Sequence, residues 1–214
     1  MAFRRRSRHL GSENGIKRHM AEKGVRMTGH EIFPGYRLHQ TIVLVGMMGS
    51  GKTAIGRALA ARLGVVFLDS DAAIEEAASV SIAEIFARDG EEFFRVREAE
   101  VIKRLMSGPP AILSTGGGAF LTPRIRELIE NNGVAVWLDA PLEILWERVR
   151  NKDTRPLLRT ANPKKTLTEI FEQRVPVYSK AQLNVKINGR FSIEQTTDVV
   201  IDVLTAQPNV LEKI

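Results

Sequence analysis

The chain has 214 residues, contains no cysteine and carries a formal net charge of +6 at neutral pH. This length suits one α/β domain with a sizeable hydrophobic core. The lack of cysteine excludes disulfide bonds, thiolate nucleophiles and cysteine-based zinc sites. No apolar stretch approaches the ~18–20 residues that a membrane-spanning helix requires, so no membrane partner is expected.

The positive charge is concentrated near the N-terminus. Residues 1–40 hold nine of the 31 basic and three of the 25 acidic residues, so the 22 basic and 22 acidic residues that follow balance each other. The stretch FRRRSRH could bind nucleic acid or an anionic membrane. Because it lacks interleaved aromatics and an apolar face, we instead expect residues 1–40 to be a disordered extension with no nucleic-acid partner. The folded domain is predicted to span residues 41–214.

Strands and helices are predicted to alternate after residue 40, which is typical of a parallel sheet covered by helices. Strands are predicted near residues 41–45, 65–68, 110–114, 134–138 and 183–187. Helices are predicted near residues 52–63, 71–78, 81–88, 91–106, 123–131, 141–150, 166–179 and 192–205. Start signals support several helices, among them the capping-box pattern of Ser81 to Glu84. The predicted fold class is α/β, with three layers around a five-stranded parallel sheet.

The first predicted strand runs directly into a phosphate-binding motif. Residues 46–53, GMMGSGKT, match G-x-x-x-x-G-K-[ST] between a buried strand and a helix N-terminus, the context that this P-loop motif requires. Backbone N–H groups and the helix end bind phosphates, the lysine neutralises them, and the threonine hydroxyl can coordinate Mg²⁺. The residues predicted to bind nucleotide are Gly46, Gly49, Ser50, Gly51, Lys52, Thr53 and Ala54.

Polar residues and glycines follow the next two predicted strands, where ligands of parallel sheets bind. Asp69 and Asp71 follow the second strand, and their carboxylates can serve a metal ion and a substrate hydroxyl separately. Capping of the next helix would also explain these aspartates. Residues 116–118 are three glycines after the third strand, which permit close approach of the backbone to a ligand or form a flexible loop.

Two later segments carry arginines. Arg95 and Glu98 share one face of a predicted helix, so Glu98 could orient the guanidinium, although a surface ion pair would give the same pattern. Residues 151–165, NKDTRPLLRTANPKK, are polar and contain prolines, which is typical of a mobile lid or of an exposed loop. Arg155 in this segment could reach a transferring phosphoryl group.

In combination these motifs resemble those of the shikimate kinases, a P-loop family related to the nucleoside monophosphate kinases. The resemblance covers residues 41–205 and rests on GMMGSGKT-x-x-GR, LDSD-x-x-IE, SIAEIFARDGEEFFRVREAE, STGGGA, TRPLL and RVPVYSKA in that order. The family more often has GKS-T where this chain has residues 51–54, GKTA, and Thr53 keeps the hydroxyl. The resemblance implies a P-loop kinase fold, a lid at about 151–165, and a monomer in the cytoplasm.

The resemblance also implies a reaction, in which the γ-phosphoryl group of ATP passes to the 3-hydroxyl of shikimate with Mg²⁺ as cofactor. Asp71 resembles the residue that holds the acceptor hydroxyls, either as a base or only to orient them. The implied roles are catalysis by Lys52, Asp71 and Arg155, substrate binding by Asp71, Arg95, Gly117, Gly118 and Arg174, metal binding by Thr53 and Asp69, and nucleotide contacts by Arg155 and Arg190.

Two other functions stay open at this point. A gluconate-kinase-like enzyme for a small metabolite would share the fold and also accept a hydroxylated acid. A catalytically inactive P-loop module that binds nucleic acid through the basic N-terminus is a more distant alternative. The presence of Lys52, Asp69, Asp71 and Arg155 disfavours it, because a module without catalysis needs no such set.

Overall fold

A computed structural model describes residues 35–151 and 156–214 of the chain. The predicted extension up to residue 34 therefore lies outside the described residues, as does Arg155. The strands are β1 (Tyr36–Leu38), β2 (Thr41–Val45), β3 (Phe67–Asp69), β4 (Ile112–Ser114), β5 (Gly133–Asp139), β6 (Leu183–Lys186) and β7 (Leu211–Lys213). The α-helices are α1 (Lys52–Leu63), α2 (Ser70–Ala78), α3 (Ile82–Met106), α4 (Pro123–Asn132), α5 (Leu142–Val149), α6 (Pro163–Tyr178) and α7 (Ile193–Thr205).

The central sheet has five parallel strands in the order β3-β4-β2-β5-β6, flanked by helices. Leu44 of the middle strand β2 pairs with Ser114 of β4 on one side and with Val136 of β5 on the other. All five residues of β2 are buried, which explains its purely aliphatic and β-branched sequence. The prediction of a five-stranded parallel sheet is confirmed. None of the helices in the described residues is both long and apolar enough to span a membrane.

A second, two-stranded sheet was not predicted. β1 and β7 pair antiparallel, with Tyr36 opposite Lys213 and Leu38 opposite Leu211. The assignment of residues 36–38 to the N-terminal extension is therefore wrong, and the folded part of the chain begins before residue 41. Each strand has only three residues and its partner lies at the other end of the chain, so neither shows a local hydrophobic period.

Helix α3 joins two helices that were predicted separately. Its helical backbone is interrupted at Gly90, where φ is 83° and ψ is 174°. The arm before Gly90 packs with α2 around a small apolar cluster that is distinct from the main core and contains Ile74, Ile85 and Phe94. This arrangement places Asp71 on α2 and Arg95 on the second arm of α3 beside the sheet.

Helix α6 begins three residues earlier than predicted. The side chain of Asn162 accepts a hydrogen bond from the N–H of Lys165 at 3.1 Å and so caps the helix, with Pro163 in the first turn. Residues 163–165 of the predicted lid segment therefore belong to a regular helix. Before them, Pro156–Leu158 form a short 3₁₀ turn.

Gly56 lets α1 approach the sheet closely, and this contact can be tested. A Cβ atom at Gly56 would lie 2.6 Å from Phe67 Cε2 and 3.0 Å from Leu44 Cδ1. Despite the better helix propensity of alanine, we expect Gly56→Ala to lower the free energy of unfolding by about 1–3 kcal/mol through overpacking. Urea unfolding measures this. Gly108→Ala is the matched control, since its nearest neighbouring atom would lie 4.0 Å away; equal stability of the two variants would contradict the close packing.

Candidate functional site

The turn between β2 and α1 has the backbone of an anion-binding loop. Gly49 and Gly51 have φ values of 84° and 103°, a region in which residues with a Cβ are strained. Gly51 is also the N-cap of α1 and has no side chain with which to cap it. Within the part of the chain that the structure describes, no side chain thus caps this helix end, and its first N–H groups are available to a phosphate.

Lys52 and Thr53 extend from the first turn of α1 as the motif predicts. Lys52 Nζ donates hydrogen bonds to the carbonyl oxygens of Gly46 at 2.9 Å and Met47 at 3.1 Å, which places its charge against the loop. Thr53 Oγ1 lies 3.4 Å from Asp69 Oδ2, to which it donates. Ser50 is fully buried, and its Oγ has no hydrogen-bond partner among the described residues. Any contact of Ser50 with a nucleotide would therefore come from its backbone.

A cavity of about 610 Å³ opens over this loop. Its lining includes Gly49, Gly51, Lys52, Thr53 and Ala54 of the predicted nucleotide site, together with Asp69 and Asp71. On the far side it is lined by the segment Phe191, Ser192 and Ile193. Arg190 is exposed and is not among the lining residues that the structure describes. The nucleotide contact of Arg190 stays a prediction, whereas the next residue, Phe191, lines the cavity.

Arg148 of α5 is a lining residue to which no role was assigned from the sequence. Its Nη1 donates to the carbonyl oxygens of Gly49 at 3.1 Å and Ser50 at 3.4 Å. The guanidinium therefore fastens α5 to the outer side of the loop and adds positive charge to the cavity. No local signal could reveal this contact, because its partners lie about a hundred residues earlier in the chain.

Asp69 caps the next helix, one of the two roles that its position suggested. Its Oδ1 accepts hydrogen bonds from the N–H groups of Asp71 at 3.1 Å and Ala72 at 3.4 Å, so it caps α2. Its second oxygen, Oδ2, faces the Thr53 hydroxyl across the mouth of the loop. Capping thus fixes the carboxylate in an orientation that leaves one oxygen directed at the nucleotide cavity.

Asp71, in the first turn of α2, packs against the glycine turn after β4. A Cβ at Gly116 would lie only 2.6 Å from Asp71 Oδ1, so a larger residue there would displace the carboxylate from its present position. The buried hydroxyl of Ser70 joins the two segments, since it accepts from the Gly116 N–H at 3.3 Å and lies 3.5 Å from Asp71 Oδ1. Burial raises the pKa of Asp71, and the charges of Asp69 and Glu75 raise it further, against the opposing effect of Lys52.

A second cavity, of about 740 Å³, lies between α2, α3, the glycine turn and α6. Arg95 lines it and donates from Nη1 to Glu98 Oε2 at 2.7 Å. Glu98 is only 1% exposed, so this is a buried ion pair rather than a surface one. Burial raises the pKa of Glu98, and Arg95 opposes that effect. The other edge of the guanidinium, Nε and Nη2, donates to the exposed Glu91 at 3.3 and 3.0 Å.

The remaining predicted substrate residues also lie in this second cavity. Arg174 Nη1 donates to the carbonyl oxygen of Gly117 at 3.4 Å. Gly118 lies directly against Arg95, since a Cβ there would overlap the guanidinium Nη2. Tyr178, to which no role was assigned from the sequence, donates its hydroxyl to the same carbonyl of Gly117.

The two cavities meet at four shared lining residues, which are Met48, Asp71, Gly116 and Gly117. Asp71 thus lies between an anion-binding loop and a chamber with two arginines. This arrangement can hold a polyphosphate on one side and an anionic, hydroxylated acceptor on the other.

The environment of Asp71 predicts how its charge affects stability. Because its pKa is raised on folding, the native state binds more protons than the unfolded chain between the ordinary value of 3.8 and the raised one. Its contribution to the unfolding free energy therefore falls as the pH rises through that interval. We expect Asp71→Asn to be more stable than the original chain above this interval, with the difference shrinking as the pH falls through it.

Urea unfolding between pH 4 and pH 8 measures the difference. Asp202→Asn, which removes an exposed carboxylate of α7, is the control and should change stability little at any pH. A stability difference for Asp71→Asn that does not change with pH would contradict the assignment of a destabilising charge.

Comparison with known proteins agrees with this geometry. A family model described as shikimate kinase matches residues 48–205. The chain is 62% identical over 175 residues to a shikimate kinase of Ruegeria pomeroyi, covering 82% of this chain and 90% of the relative. It is 53% identical over 190 residues to a shikimate kinase of Cereibacter sphaeroides, covering 89% of this chain and 94% of that relative.

The structure is also similar to that of a shikimate kinase from Acinetobacter baumannii solved in complex with shikimate. The two are 36% identical, with a TM-score of 0.74 over 78% of this chain and 93% of the other. The predicted P-loop kinase fold is thereby confirmed. On sequence and on structure, the chain belongs to the shikimate kinase family.

Proposed function

We propose that this chain transfers the γ-phosphoryl group of ATP to the 3-hydroxyl of shikimate, giving shikimate 3-phosphate and ADP. The observation that carries the proposal is the position of Asp71 at the junction of the P-loop cavity and the arginine cavity. Membership of the shikimate kinase family favours this reaction over that of a gluconate-kinase-like enzyme. The relative from Acinetobacter baumannii, which was solved with shikimate, supports the choice of acceptor.

On the donor side, the loop and α1 would hold the ATP phosphates. Lys52 would exchange its contacts with the Gly46 and Met47 carbonyls for oxygens of the β- and γ-phosphates. Arg148 lies on the same cavity and would contact the nucleotide there. Phosphoryl transfer needs positioning and charge neutralisation more than covalent catalysis, and these cations supply both.

Mg²⁺ fits the oxygen pair at the mouth of the loop. The Thr53 hydroxyl and Asp69 Oδ2 are hard oxygen donors that face each other, and Mg²⁺ is commonly bound through one or two protein oxygens together with phosphates and water. Among the residues that the structure describes, no group of three or more acidic or histidine side chains could hold a metal by itself. When bound, the ion would neutralise charge on the β- and γ-phosphates.

On the acceptor side, Arg95 and Arg174 would pair with the carboxylate of shikimate. Planar guanidinium groups suit a carboxylate because they can donate two parallel hydrogen bonds. Glu98 holds one edge of Arg95 in place, so the edge that now contacts the exposed Glu91 is the one the substrate would take over. Gly117 and Gly118 would let the ring lie close to the backbone.

Asp71 would orient the 3-hydroxyl and accept its proton. The hydroxyl oxygen forms a bond to the γ-phosphorus while the bond from that phosphorus to the bridging oxygen of ADP breaks. The raised pKa of Asp71 makes its carboxylate a better proton acceptor than that of an ordinary aspartate. Because Asp71 is largely buried, few water molecules compete with the substrate hydroxyl for its oxygens. The chain has no histidine after residue 40, so a carboxylate is the natural base.

Two further arginines complete the proposed nucleotide site. Arg155, outside the described residues, would contact the phosphates as the predicted lid over about residues 151–165 closes and excludes water. Arg190 would contact the adenine side of the nucleotide. We further propose a monomeric enzyme of the cytoplasm that binds neither nucleic acid nor membrane.

An ADP-release assay with shikimate and gluconate in parallel tests the proposed function. We expect turnover with shikimate and none with gluconate. Lys52→Ala should lower the rate on the order of 10²-fold or more, because the γ-phosphoryl group loses a fixed positive charge. Lys103→Ala, on the exposed face of α3, is the matched control and should keep full activity. Turnover of gluconate in place of shikimate, or full activity of Lys52→Ala, would contradict the proposal.

A further inference from the structure

Three consecutive glycines lie where the two cavities meet, since Gly116 and Gly117 line both cavities and Gly118 lines the second. Glycine populates a wider range of backbone angles than any other residue, so residues 116–118 depend on hydrogen bonds to keep one conformation. One restraint is the Ser70 hydroxyl, which accepts from the Gly116 N–H at 3.3 Å. The carbonyls of Gly116 and Gly118 accept from the N–H groups of Ala119 and Leu121, each at 3.1 Å. The carbonyl of Gly117, between them, is held by side chains of α6.

Two side chains of α6 hold the same carbonyl group. Arg174 and Tyr178 are four residues apart, so they share one face of the helix, and both donate to Gly117 O. The Arg174 contact is long, at 3.4 Å, and so lies near the limit for a hydrogen bond. Without the Tyr178 hydroxyl, only this long contact from α6 would hold the carbonyl of Gly117.

The environment of Tyr178 keeps its hydroxyl in the donor form. The residue is fully buried, and its ring lies 6.3 Å from the ring of Trp137 in a stacked arrangement. Burial raises the pKa of Tyr178, although the guanidinium of Arg174 opposes this effect. The phenol is thus protonated at neutral pH, and a rigid ring directs it at the glycine turn.

Fixing the carbonyl of Gly117 also fixes the N–H of Gly118. The structure has no cis peptide bonds among the described residues, so this N–H points away from the carbonyl and hence away from Tyr178. Within the same described part of the chain, the Gly118 N–H donates to no backbone acceptor. Gly118 is one of the residues that line the cavity containing Arg95 and Arg174.

We propose that Tyr178 is a positioning residue for the acceptor site. Its hydroxyl sets the orientation of the Gly117–Gly118 peptide and, through the shared carbonyl, the position of the Arg174 guanidinium. Tyr178 touches neither cavity directly, so it acts on substrate binding only through these two groups. This inference rests on the proposed function, because it assigns Tyr178 to the binding of the carboxylated acceptor.

Tyr178→Phe removes the hydroxyl and keeps the ring that packs on Trp137. We expect the KM for shikimate to rise about 3- to 10-fold, the effect of losing one hydrogen bond, while the KM for ATP stays unchanged. Tyr36→Phe is the matched control, since Tyr36 is the other tyrosine of the chain and lies in β1. An unchanged KM for shikimate, or equal rises for both substrates, would overturn the inference.

A double-mutant cycle with Arg174→Lys tests whether Tyr178 acts through Arg174. The two changes should be non-additive in the KM for shikimate, because either one disturbs the same contact. Full additivity would overturn the link. If the original chain does not phosphorylate shikimate at all, the proposed function is wrong. If the original chain is active and Tyr178→Phe has the same KM for shikimate, only the role of Tyr178 is wrong.

A second measurement does not depend on the folding of Tyr178→Phe. In the Tyr36→Phe background Tyr178 is the single tyrosine, so 3,5-difluorotyrosine can be placed there alone. Its phenol ionises at a lower pH than that of tyrosine, and an ionised phenol cannot donate. The KM for shikimate should therefore begin to rise at a lower pH than in the same chain with ordinary tyrosine. Identical pH profiles of the two proteins would overturn the inference.

Discussion

The approach of the Asp71 carboxylate to the backbone of Gly116 is the contact on which the site depends. Gly116, after β4, has no Cβ that would displace the carboxylate, and Asp69 caps the helix that carries Asp71 after β3. The segments that follow the two strands can therefore pack against each other. Parallel pairing of β3 with β4 and of β4 with β2 brings these ends to the same edge of the sheet as the P-loop. The fold therefore delivers a carboxylate to the boundary between a phosphate site and an arginine site.

The same site retains charges in an environment that disfavours them. Asp71 is partly buried next to Asp69, and Glu98 is almost fully buried beside Arg95. A buried ion pair of this kind contributes little net stability, since desolvation offsets most of its Coulomb attraction. Its value is positional, because Glu98 holds one edge of the Arg95 guanidinium while the other edge faces an exposed and replaceable partner. In the proposed mechanism, this orientation prepares Arg95 to bind the acceptor at little gain in stability.

The sequence predicts the elements that leave a local signal. The aliphatic strand β2, the glycine-rich turn and the capped helices were all recognisable, because period, glycine spacing and capping residues are local features. The contacts between distant parts of the chain that complete the site were not recognisable from the sequence. Arg148 reaches the P-loop across about a hundred residues, and Tyr178 reaches Gly117 across 61. β1 and β7 were missed for the same reason. Glu98 is an intermediate case. Its spacing from Arg95 suggested an ion pair, but only the structure showed that Glu98 is buried.

The distinct roles of Asp69 and Asp71 are the central claim, and a magnesium titration tests them most directly. The rates of Asp69→Asn and Asp71→Asn would be measured at saturating ATP and shikimate over a wide range of Mg²⁺. If Asp69 acts through the ion, excess Mg²⁺ should partly restore the rate of Asp69→Asn. Asp71→Asn should stay about 10²- to 10⁴-fold below the original chain at every concentration, because an amide accepts no proton. Equal rescue of both variants by Mg²⁺ would contradict the account.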